Sequence, residues 1–352
     1  MKDIGILTFT RAINYGAVLQ AYALKTVLSA VSDAELIHYK SPHLERLYHA
    51  FPRTPAALLH AAVFAKRNRR FRAFSAEISS PEIYDEKSIT RAPYARLVVG
   101  SDQVWNLACT GADLAYLPLG MPQKRTYAYA ASFGLSRLPN EQIPLFCRAL
   151  SALSLISVRE KTGVDICREQ LGLDATVALD PTLLLTADEW RTFAAASEEK
   201  KTEKYLLLYT LGGDGRIKRA AATVAHALGL PVYNLTVSAR ERFGDRIIRD
   251  AGPREFVSLF ASADFVVTDS FHGTAFSLNF GLPFYSFAQN DRASRILDLL
   301  DTVGLPERVN PSKAVLASPT LPDLAEAHAR LVEEREKSQK IIEKIAKDGK
   351  QK

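Results

Sequence analysis

The sequence is poor in the residues that build covalent or metal-bound frameworks. Its 352 residues include three cysteines, Cys109, Cys147 and Cys167, which are far apart and show no CxxC spacing. An odd number of scattered cysteines argues against a disulfide framework and a structural zinc site, and indicates a reducing compartment. Carboxylates and histidines do not cluster at metal-ligand spacing, so we predict no metal.

Long apolar runs are also missing. The most apolar helical stretch, residues 55–65, is shorter than the roughly 20 residues that a membrane-spanning helix needs. No basic-then-apolar leader precedes the first predicted strand at residues 4–9. We therefore expect a cytoplasmic protein, with contact to the inner face of a membrane as an open alternative.

Charge and composition are ordinary for a soluble protein, with 47% apolar residues, 24% charged residues and a net charge of +6. Much of the positive excess lies in the run Lys66–Arg72. Two interpretations are open, a solvated helix face and peripheral contact with an anionic surface such as phospholipid. No DNA- or RNA-binding motif accompanies the run, so nucleic acid is not a predicted partner.

Short apolar runs alternate with helical patterns along most of the chain. Continuous Val, Ile and Leu runs separated by helices predict parallel sheets covered on both faces. The predicted strands are residues 4–9, 97–99, 126–130, 155–158, 176–179, 205–209, 232–235, 265–268 and 284–287. The spacing of apolar residues from 17 to 31 predicts a helix after the first strand.

We predict an α/β fold of two doubly wound, Rossmann-like domains that face each other across a cleft. The first spans residues 1–185 and carries a helical, basic insertion at about 42–93. The second spans residues 186–320 and opens with a capping box from Thr186 to Glu189. Residues 321–352 form a charged helix, which is expected to pack on the first domain. Ligand sites in such folds lie at the carboxyl ends of the strands.

The loop after the first strand offers Asn14, Gly16 and Gln20. Asn14 suits a helix N-cap, and Gly16 lets the backbone approach a ligand closely. The loop is not a GxGxxG fingerprint, so it does not favour a dinucleotide. The alternative is a plain capped helix.

A second loop, residues 99–106, follows another strand and concentrates Ser101, Asp102, Gln103 and Trp105. Polar clusters on loops more often serve binding than packing. Asp102 is also a candidate helix N-cap. Trp105 is either a platform for a sugar ring or part of the core.

Arg159 comes directly after a predicted strand and is followed by Glu160. A guanidinium in that place can grip a carboxylate or phosphate through two parallel hydrogen bonds. The alternative is a surface ion pair between the two neighbours.

The segment from Thr268 to Phe284 predicts a strand, a sharp turn and a helix. His272 lies in the turn, and the N–H groups of Gly273 and Thr274 open the helix, where anions bind readily. A histidine in such a turn can also be a hydrogen-bonding spacer. Downstream, Arg292 and Arg295 either bind an anion or face water.

Six pieces of this sequence, in order, resemble the polysaccharide pyruvyl transferase family. They are Asn14–Gln20, Gly100–Asn106, Tyr129–Gly134, Ser157–Lys161, Asp180–Thr182 and Asp269–Thr274. The resemblance covers roughly residues 1–300 and implies a fold similar to the GT-B glycosyltransferases. It also implies transfer of a pyruvyl group from phosphoenolpyruvate to a sugar, with no separate cofactor.

The resemblance implies that Arg159 and His272 hold the donor. Other branches of the family carry a basic residue where this chain has Ser270, so one donor contact would be either missing or supplied by another residue, such as Arg292, Arg295 or Lys161. Histidine exchanges protons near neutral pH, which makes His272 the candidate general acid and base. Asp102 or Glu160 is the candidate partner.

Two alternatives stay open, a GT-B-like glycosyltransferase that uses a nucleotide sugar and a non-catalytic subunit of polysaccharide assembly. The acceptor is expected to be a sugar of an exopolysaccharide or of its precursor, either free or lipid-linked. Oligomeric state is not predicted.

Overall fold

The computed structural model describes residues 2–49, 54–119, 125–199, 203–212, 215–288, 293–321 and 323–348. Within these ranges, strands β1 to β12 are Ile4–Leu7, Ala34–Tyr39, Ser79–Tyr84, Arg96–Val99, Arg125–Ala131, Leu155–Val158, Thr176–Val177, Leu206–Tyr209, Val232–Leu235, Arg246–Ile248, Phe265–Thr268 and Phe284–Ser286. They form one sheet in the order β3-β2-β1-β4-β5-β6-β7 and another in the order β10-β9-β8-β11-β12.

Helices connect the strands and cover the sheets. Helices α1 to α14 are Tyr15–Ser29, Pro42–Tyr48, Pro55–Val63, Ala65–Ile78, Leu107–Thr110, Ile143–Leu150, Lys161–Asp165, Ala187–Ala194, Gly215–Leu228, Pro253–Ser262, Phe271–Asn279, Ala293–Thr302, Lys313–Ala317 and Ala325–Lys347. The pairings between neighbouring strands are parallel. The predicted α/β class is confirmed.

The predicted strands are confirmed, with ends that shift by no more than two residues. Strands β8 and β11 are buried at every position, as expected for parallel strands covered on both faces. The sequence prediction missed β2, β3 and β10. Glu35 and His38 interrupt the apolar run of β2. The other two are edge strands, β10 with three residues and β3 with a proline that a central strand would not tolerate.

The chain divides into two compact units. The first comprises Met1–Phe51, Arg72–Leu184 and Glu333–Lys352, and it contains the seven-stranded sheet. The second comprises Pro52–Phe71 and Leu185–Val332, and it contains the five-stranded sheet. Residues 52–71, which belong to the predicted insertion, therefore group with the second unit.

The part of the basic run that lies in the second unit makes contacts within that unit. The Lys66 ammonium is 3.0 Å from an oxygen of Asp250. Arg70 donates a 2.8 Å hydrogen bond to the Asp250 carbonyl oxygen and also pairs with Glu198. Arg67 is buried, with its guanidinium 4.2 Å from the centre of the Phe64 ring. Three cations of the run thus have partners inside the unit.

None of the helices within the described ranges has both the length and the apolar character that crossing a bilayer requires.

Candidate functional site

Polar and charged side chains gather at the carboxyl edge of the first sheet. Asp102 follows β4, Ser132 follows β5, Arg159 and Glu160 follow β6, and Asp180 follows β7. All five are buried. Because neighbouring parallel strands end at the same edge, the topology brings together residues that are far apart in the sequence.

The Arg159 guanidinium is the centre of this cluster, and its side chain is 1% exposed. Nη1 donates a 2.7 Å hydrogen bond to Asp180 Oδ2, and Nη2 donates one of 3.2 Å to Asp102 Oδ1. Nε lies 3.9 Å from Glu160 Oε2. The alternative of a surface pair between Arg159 and Glu160 is therefore wrong, because both are buried in a larger network.

Burial acts to lower the pKa of Arg159, but the charges of Asp102, Asp180 and Glu160 outweigh it and raise that pKa. The guanidinium stays charged, and a buried charge needs such partners to offset its lost hydration. Three carboxyl groups therefore surround this guanidinium. An anionic ligand would have to compete with these carboxylates for the guanidinium.

Neighbouring hydrogen bonds hold the carboxylates in place. Asp180 Oδ1 accepts from the Thr182 backbone N–H at 3.0 Å and from the Thr182 hydroxyl at 2.7 Å. The Ser132 hydroxyl donates to Glu160 Oε1 at 2.6 Å and accepts from the Gly134 N–H at 3.1 Å. Asp180 and Ser132 were not among the predicted site residues. The sequence could have indicated both residues, because each comes just after a strand and lies in one of the six segments that resemble the family.

Asp102 is in a left-handed conformation, with φ of 71°. Its carbonyl oxygen accepts from the Ser132 N–H at 2.9 Å, which ties it to the end of β5. The N-cap of α5 is Asn106, whose side chain accepts from the Ala108 N–H. The alternative of Asp102 as an N-cap is therefore wrong. Burial and the Asp102 charge both raise the pKa of the Tyr48 hydroxyl.

The other polar side chains of the second loop support the loop itself. The Ser101 hydroxyl donates to the Ala130 carbonyl oxygen at 3.0 Å. Gln103 Oε1 accepts from the Asn106 side-chain amide at 3.0 Å. Trp105 is fully buried, with its ring centre 5.0 Å from that of Phe133. The sugar-platform interpretation of Trp105 is wrong, and the core interpretation is confirmed.

The first loop is joined to the second by a buried chain of hydrogen bonds. Gln20 Nε2 donates to the Thr8 hydroxyl at 2.8 Å, which donates to the Ser101 carbonyl oxygen at 3.0 Å. Asn14 is confirmed as the N-cap of α1, since its side chain accepts from the Ala17 N–H. Gly16 is buried in the first turn of that helix.

In the second unit, the predicted strand, turn and helix are confirmed, but His272 lies inside the first turn of the helix and not in the connecting turn. β11 ends at Thr268 and α11 begins at Phe271. Ser270 is the N-cap, and its hydroxyl accepts from the Gly273 N–H at 3.3 Å. His272 is buried, and its ring packs edge-on against Phe271 with centres 5.2 Å apart.

Gly273 and Thr274 lie in the first turn of α11. The Gly273 N–H donates to the Ser270 hydroxyl, and the Thr274 N–H donates to the Ser270 carbonyl oxygen at 2.9 Å. A Cβ atom on Gly273 would lie 2.3 Å from the Thr268 hydroxyl oxygen, so this turn requires glycine. Both N–H groups predicted to bind an anion therefore donate to Ser270.

Asp269 is a site-adjacent residue that the sequence prediction missed. Its carboxylate accepts from the Thr210 hydroxyl at 2.8 Å and from the Leu211 N–H at 2.7 Å. The Thr274 and Ser286 hydroxyl oxygens are 2.7 Å apart. These bonds connect the ends of β8, β11 and β12 around the His272 turn.

Arg295 is buried, and its guanidinium lies 6.0 Å from the centre of the Phe271 ring. The alternative in which Arg295 faces water is therefore wrong. Arg292 lies outside the described residues. In the described part of the chain, no group of three or more His, Cys, Asp or Glu side chains is placed to hold a metal ion.

Comparison with solved structures identifies the fold. A UDP-GlcNAc 2-epimerase from Neisseria meningitidis, bound to UDP-GlcNAc, is similar with a TM-score of 0.52 and 13% identity, over 98% of this chain and 94% of that one. A UDP-N-acetylglucosamine 2-epimerase from Rickettsia bellii has the same TM-score at 12% identity, over 99% of each chain. At such low identity the likeness shows the fold alone, which is of the GT-B type.

Sequence comparison identifies the family. No curated protein matches this sequence. The family model described as polysaccharide pyruvyl transferase matches residues 14–291, a range that contains both the Arg159 cluster and the His272 turn. Because that match covers most of the chain, the protein belongs to the polysaccharide pyruvyl transferase family.

Proposed function

We propose that this protein transfers a pyruvyl group from phosphoenolpyruvate to a sugar of a cell-surface polysaccharide or of its precursor, with formation of a cyclic ketal. The observation that carries the proposal is the buried His272 in the first turn of α11, in a chain of this family. The notable lack of paired cysteines supports a cytoplasmic site of action. A lipid-linked acceptor at the inner face of the membrane is the form that we propose for the precursor.

The reaction needs an acid and a base near neutral pH. Protonation of the donor's methylene carbon makes the adjacent carbon electrophilic, and a sugar hydroxyl then forms a C–O bond to it while losing its proton. The C–O bond to phosphate breaks, and a second hydroxyl of the sugar closes the ketal ring while its proton passes to the released phosphate. We assign the proton transfers to His272, because imidazole can both give and accept a proton in this range.

The donor carries a carboxylate and a phosphate, so its site needs cations and N–H donors. Arg295 supplies a buried guanidinium beside the His272 turn. Gly273 supplies an N–H whose 3.3 Å bond to Ser270 is long enough to be exchanged for a stronger acceptor. In this role Ser270 shapes the turn, and the positive charge that the donor needs comes from Arg295.

Within the first unit, Asp102 is more suitable for contact with a ligand than Glu160. Its side chain is 11% exposed, whereas that of Glu160 is 2% exposed and accepts from Ser132. Within the first unit, we assign ligand contact to Asp102 and support of the cluster to Glu160. Arg159 fixes the Asp102 carboxylate through its hydrogen bond of 3.2 Å.

Phosphate release from phosphoenolpyruvate, measured with and without a panel of sugar acceptors, tests this function. We expect acceptor-dependent release that falls at least about a hundredfold in His272→Gln, the usual scale of acid–base catalysis. His226→Gln, which changes an exposed histidine of α9, is the matched control. Unchanged activity of the His272→Gln enzyme would overturn the assignment of this residue.

Calorimetric titration separates the proposed donor from a nucleotide sugar. Saturable binding of phosphoenolpyruvate, lost in Arg295→Gln, supports the proposal. Binding of a nucleoside diphosphate sugar instead, with no response to phosphoenolpyruvate, would favour the glycosyltransferase alternative. The similarity to epimerase structures does not by itself support that alternative, because it shows the fold alone.

A further inference from the structure

Helix α3 of the second unit is apolar and largely uncovered. Its nine residues, Pro55–Val63, include no Asp, Glu, Lys or Arg. Among the residues of α3 whose side chains the structure describes, none is buried. Leu58 and Leu59 are 51% and 68% exposed. Single exposed leucines are common on proteins, but adjacent ones on an uncharged helix mark a surface for binding to protein or membrane.

Helix α3 is followed directly by α4, with only Phe64 between them. The Phe64 N–H donates to the His60 carbonyl oxygen at 3.2 Å, and the Asn68 N–H donates to the Phe64 carbonyl oxygen at 2.9 Å. The buried Phe64 ring has its centre 4.6 Å from that of His60 and 4.2 Å from the Arg67 guanidinium. Because helical hydrogen bonds continue across the junction, helical spacing can be followed from one helix into the other.

One side of these two helices faces outward. Exposed residues follow one another there at steps of four, three and four, and they are Leu58, Ala62, Ala65 and Arg69. On the other side Phe64, Arg67 and Phe71 are buried, at steps of three and four. The outward side is therefore apolar along α3 and becomes cationic at the first turns of α4.

The charge of this segment has one sign. Residues 54–71 contain Lys66, Arg67, Arg69 and Arg70 but neither Asp nor Glu. Lys66 and Arg70 fasten α4 to its own unit, since both contact Asp250. Arg69 is exposed on the same side as the α3 leucines. An apolar helix followed by cations is typical of segments that lie in the interface of an anionic membrane.

The length of α3 suits the surface of a bilayer. Nine residues span about 14 Å. The headgroup layer on each side of a bilayer is roughly 5–8 Å thick, and the hydrocarbon core is about 30 Å thick. The helix can therefore reach the edge of the hydrocarbon but cannot cross it.

We propose that α3 and the first turns of α4 bind the surface of an anionic phospholipid bilayer. Leu58 and Leu59 enter the boundary between headgroups and acyl chains, and Arg69 lies among the headgroup phosphates. The proposal extends one interpretation of the basic run, peripheral contact with phospholipid, to the apolar helix that precedes it. It does not depend on the pyruvyl transfer proposed above, because lipid alone is the ligand.

Sedimentation of the full chain with vesicles tests the proposal. We expect binding to vesicles of phosphatidylglycerol and phosphatidylcholine in equal parts, weakened by salt, and little binding to phosphatidylcholine alone. The double change Leu58→Ala and Leu59→Ala keeps helix propensity and should weaken binding at least about tenfold. The matched control is Leu297→Ala with Leu321→Ala, two leucines of the same unit that are 46% and 74% exposed.

The cation is tested in the same way. Arg69→Gln should weaken binding about fivefold, because one cation near an anionic surface contributes about that factor. Arg240→Gln changes another exposed cation of the same unit and should have little effect.

The Leu59→Trp protein reports insertion directly. The two native tryptophans, Trp105 and Trp190, are both fully buried, so the added indole is the one that can meet lipid. Its emission should shift to shorter wavelength with anionic vesicles, whereas that of Leu297→Trp should not.

Circular dichroism verifies that each variant is folded. Absence of vesicle binding by the folded wild type, equal binding by the double alanine variant, or equal binding to neutral vesicles would overturn the proposal. Self-association that the same double change abolishes, without vesicle binding, would also overturn it, because a second copy of the chain would then cover α3.

Discussion

Arg159 donates a 2.7 Å hydrogen bond to Asp180, and the two side chains are 1% and 0% exposed. Arg159 follows β6, and Asp180 follows the neighbouring strand β7. The bond between them also positions the guanidinium that donates to Asp102. Through this guanidinium, Asp180 helps to set the orientation of the Asp102 carboxylate.

Replacement of Asp180 by alanine should destabilise the protein severely. The change leaves the buried Arg159 charge without its shortest partner, and breaking a buried pair typically costs about 3–5 kcal/mol. The midpoint of urea denaturation, followed by circular dichroism, measures the loss. Asp188→Ala removes an ion pair whose carboxylate is 89% exposed and should have little effect. Equal effects of the two changes would contradict the central role of Asp180.

Gly273→Ala should disrupt the His272 turn. The new methyl group would lie 2.3 Å from the Thr268 hydroxyl oxygen, in a buried place, and overpacking of this kind costs about 1–3 kcal/mol. Thermal denaturation measures it. Gly215→Ala is the control, because its methyl group would meet only the end of the flexible Arg219 side chain. A Gly273→Ala protein as stable as the wild type would show that the turn relaxes easily.

The side chain of residue 270 should affect the stability of the protein, because it is the N-cap of α11. Ser270→Ala removes the oxygen that accepts from the Gly273 N–H and should cost about 1 kcal/mol, whereas Ser270→Thr should keep most of the stability. Chemical denaturation of the two variants compares them. If alanine and threonine are equally destabilising, the hydroxyl at this position does not act as a cap.

Acid should weaken the first unit at Glu45. Burial acts to raise the pKa of Glu45, but its bonds of 2.5 and 3.0 Å from Arg11 outweigh this and hold that pKa below its ordinary value of 4.5. A lowered pKa in the folded state adds stability above about pH 4.5, which is lost as the pH falls through the folded-state value. Urea midpoints between pH 7 and pH 3 should therefore fall less steeply for Glu45→Gln than for the wild type. If the urea midpoints of the two proteins fall in parallel with pH, Glu45 makes no such contribution to stability.

The three cysteines should differ in reactivity. Burial raises the pKa of the Cys167 thiol to about 12, whereas Cys109 and Cys147 are partly exposed. The thiolate is the reactive form, so iodoacetamide at pH 8 should modify Cys109 and Cys147 in the native protein before Cys167. Mass spectrometry of the digested protein gives the order, and denatured protein provides the control in which all three react.

The sequence predicted the buried strands well because their apolar runs are continuous. Strands Leu155–Val158, Val232–Leu235 and Phe265–Thr268 were predicted with their observed ends. The prediction missed strands whose apolar run is interrupted or short. Short runs occur at edge strands, which need fewer apolar residues. Strand β3, with Pro81, is the example.

The candidate site was predicted only in part. The sequence singled out Arg159, Asp102 and His272, because each follows a strand in a loop with polar neighbours. It did not predict that Arg159 would be enclosed by carboxylates, since Asp102 and Asp180 lie 57 and 21 residues away along the chain. Such pairing depends on strand order, which local patterns do not contain.

The contacts made by the end of α14 affect the order in which the first unit is completed during synthesis. Arg96, at the start of β4 and buried, donates hydrogen bonds to the carbonyl oxygens of Ile345, Ala346 and Asp348. The Leu179 N–H likewise donates to the Ser338 hydroxyl. A ribosome makes these partners only after the whole second unit, so until then Arg96 has its contacts with Asp3 and Ser32 but lacks the three carbonyl oxygens. The unit whose synthesis begins first is thus completed only after the second unit has been made.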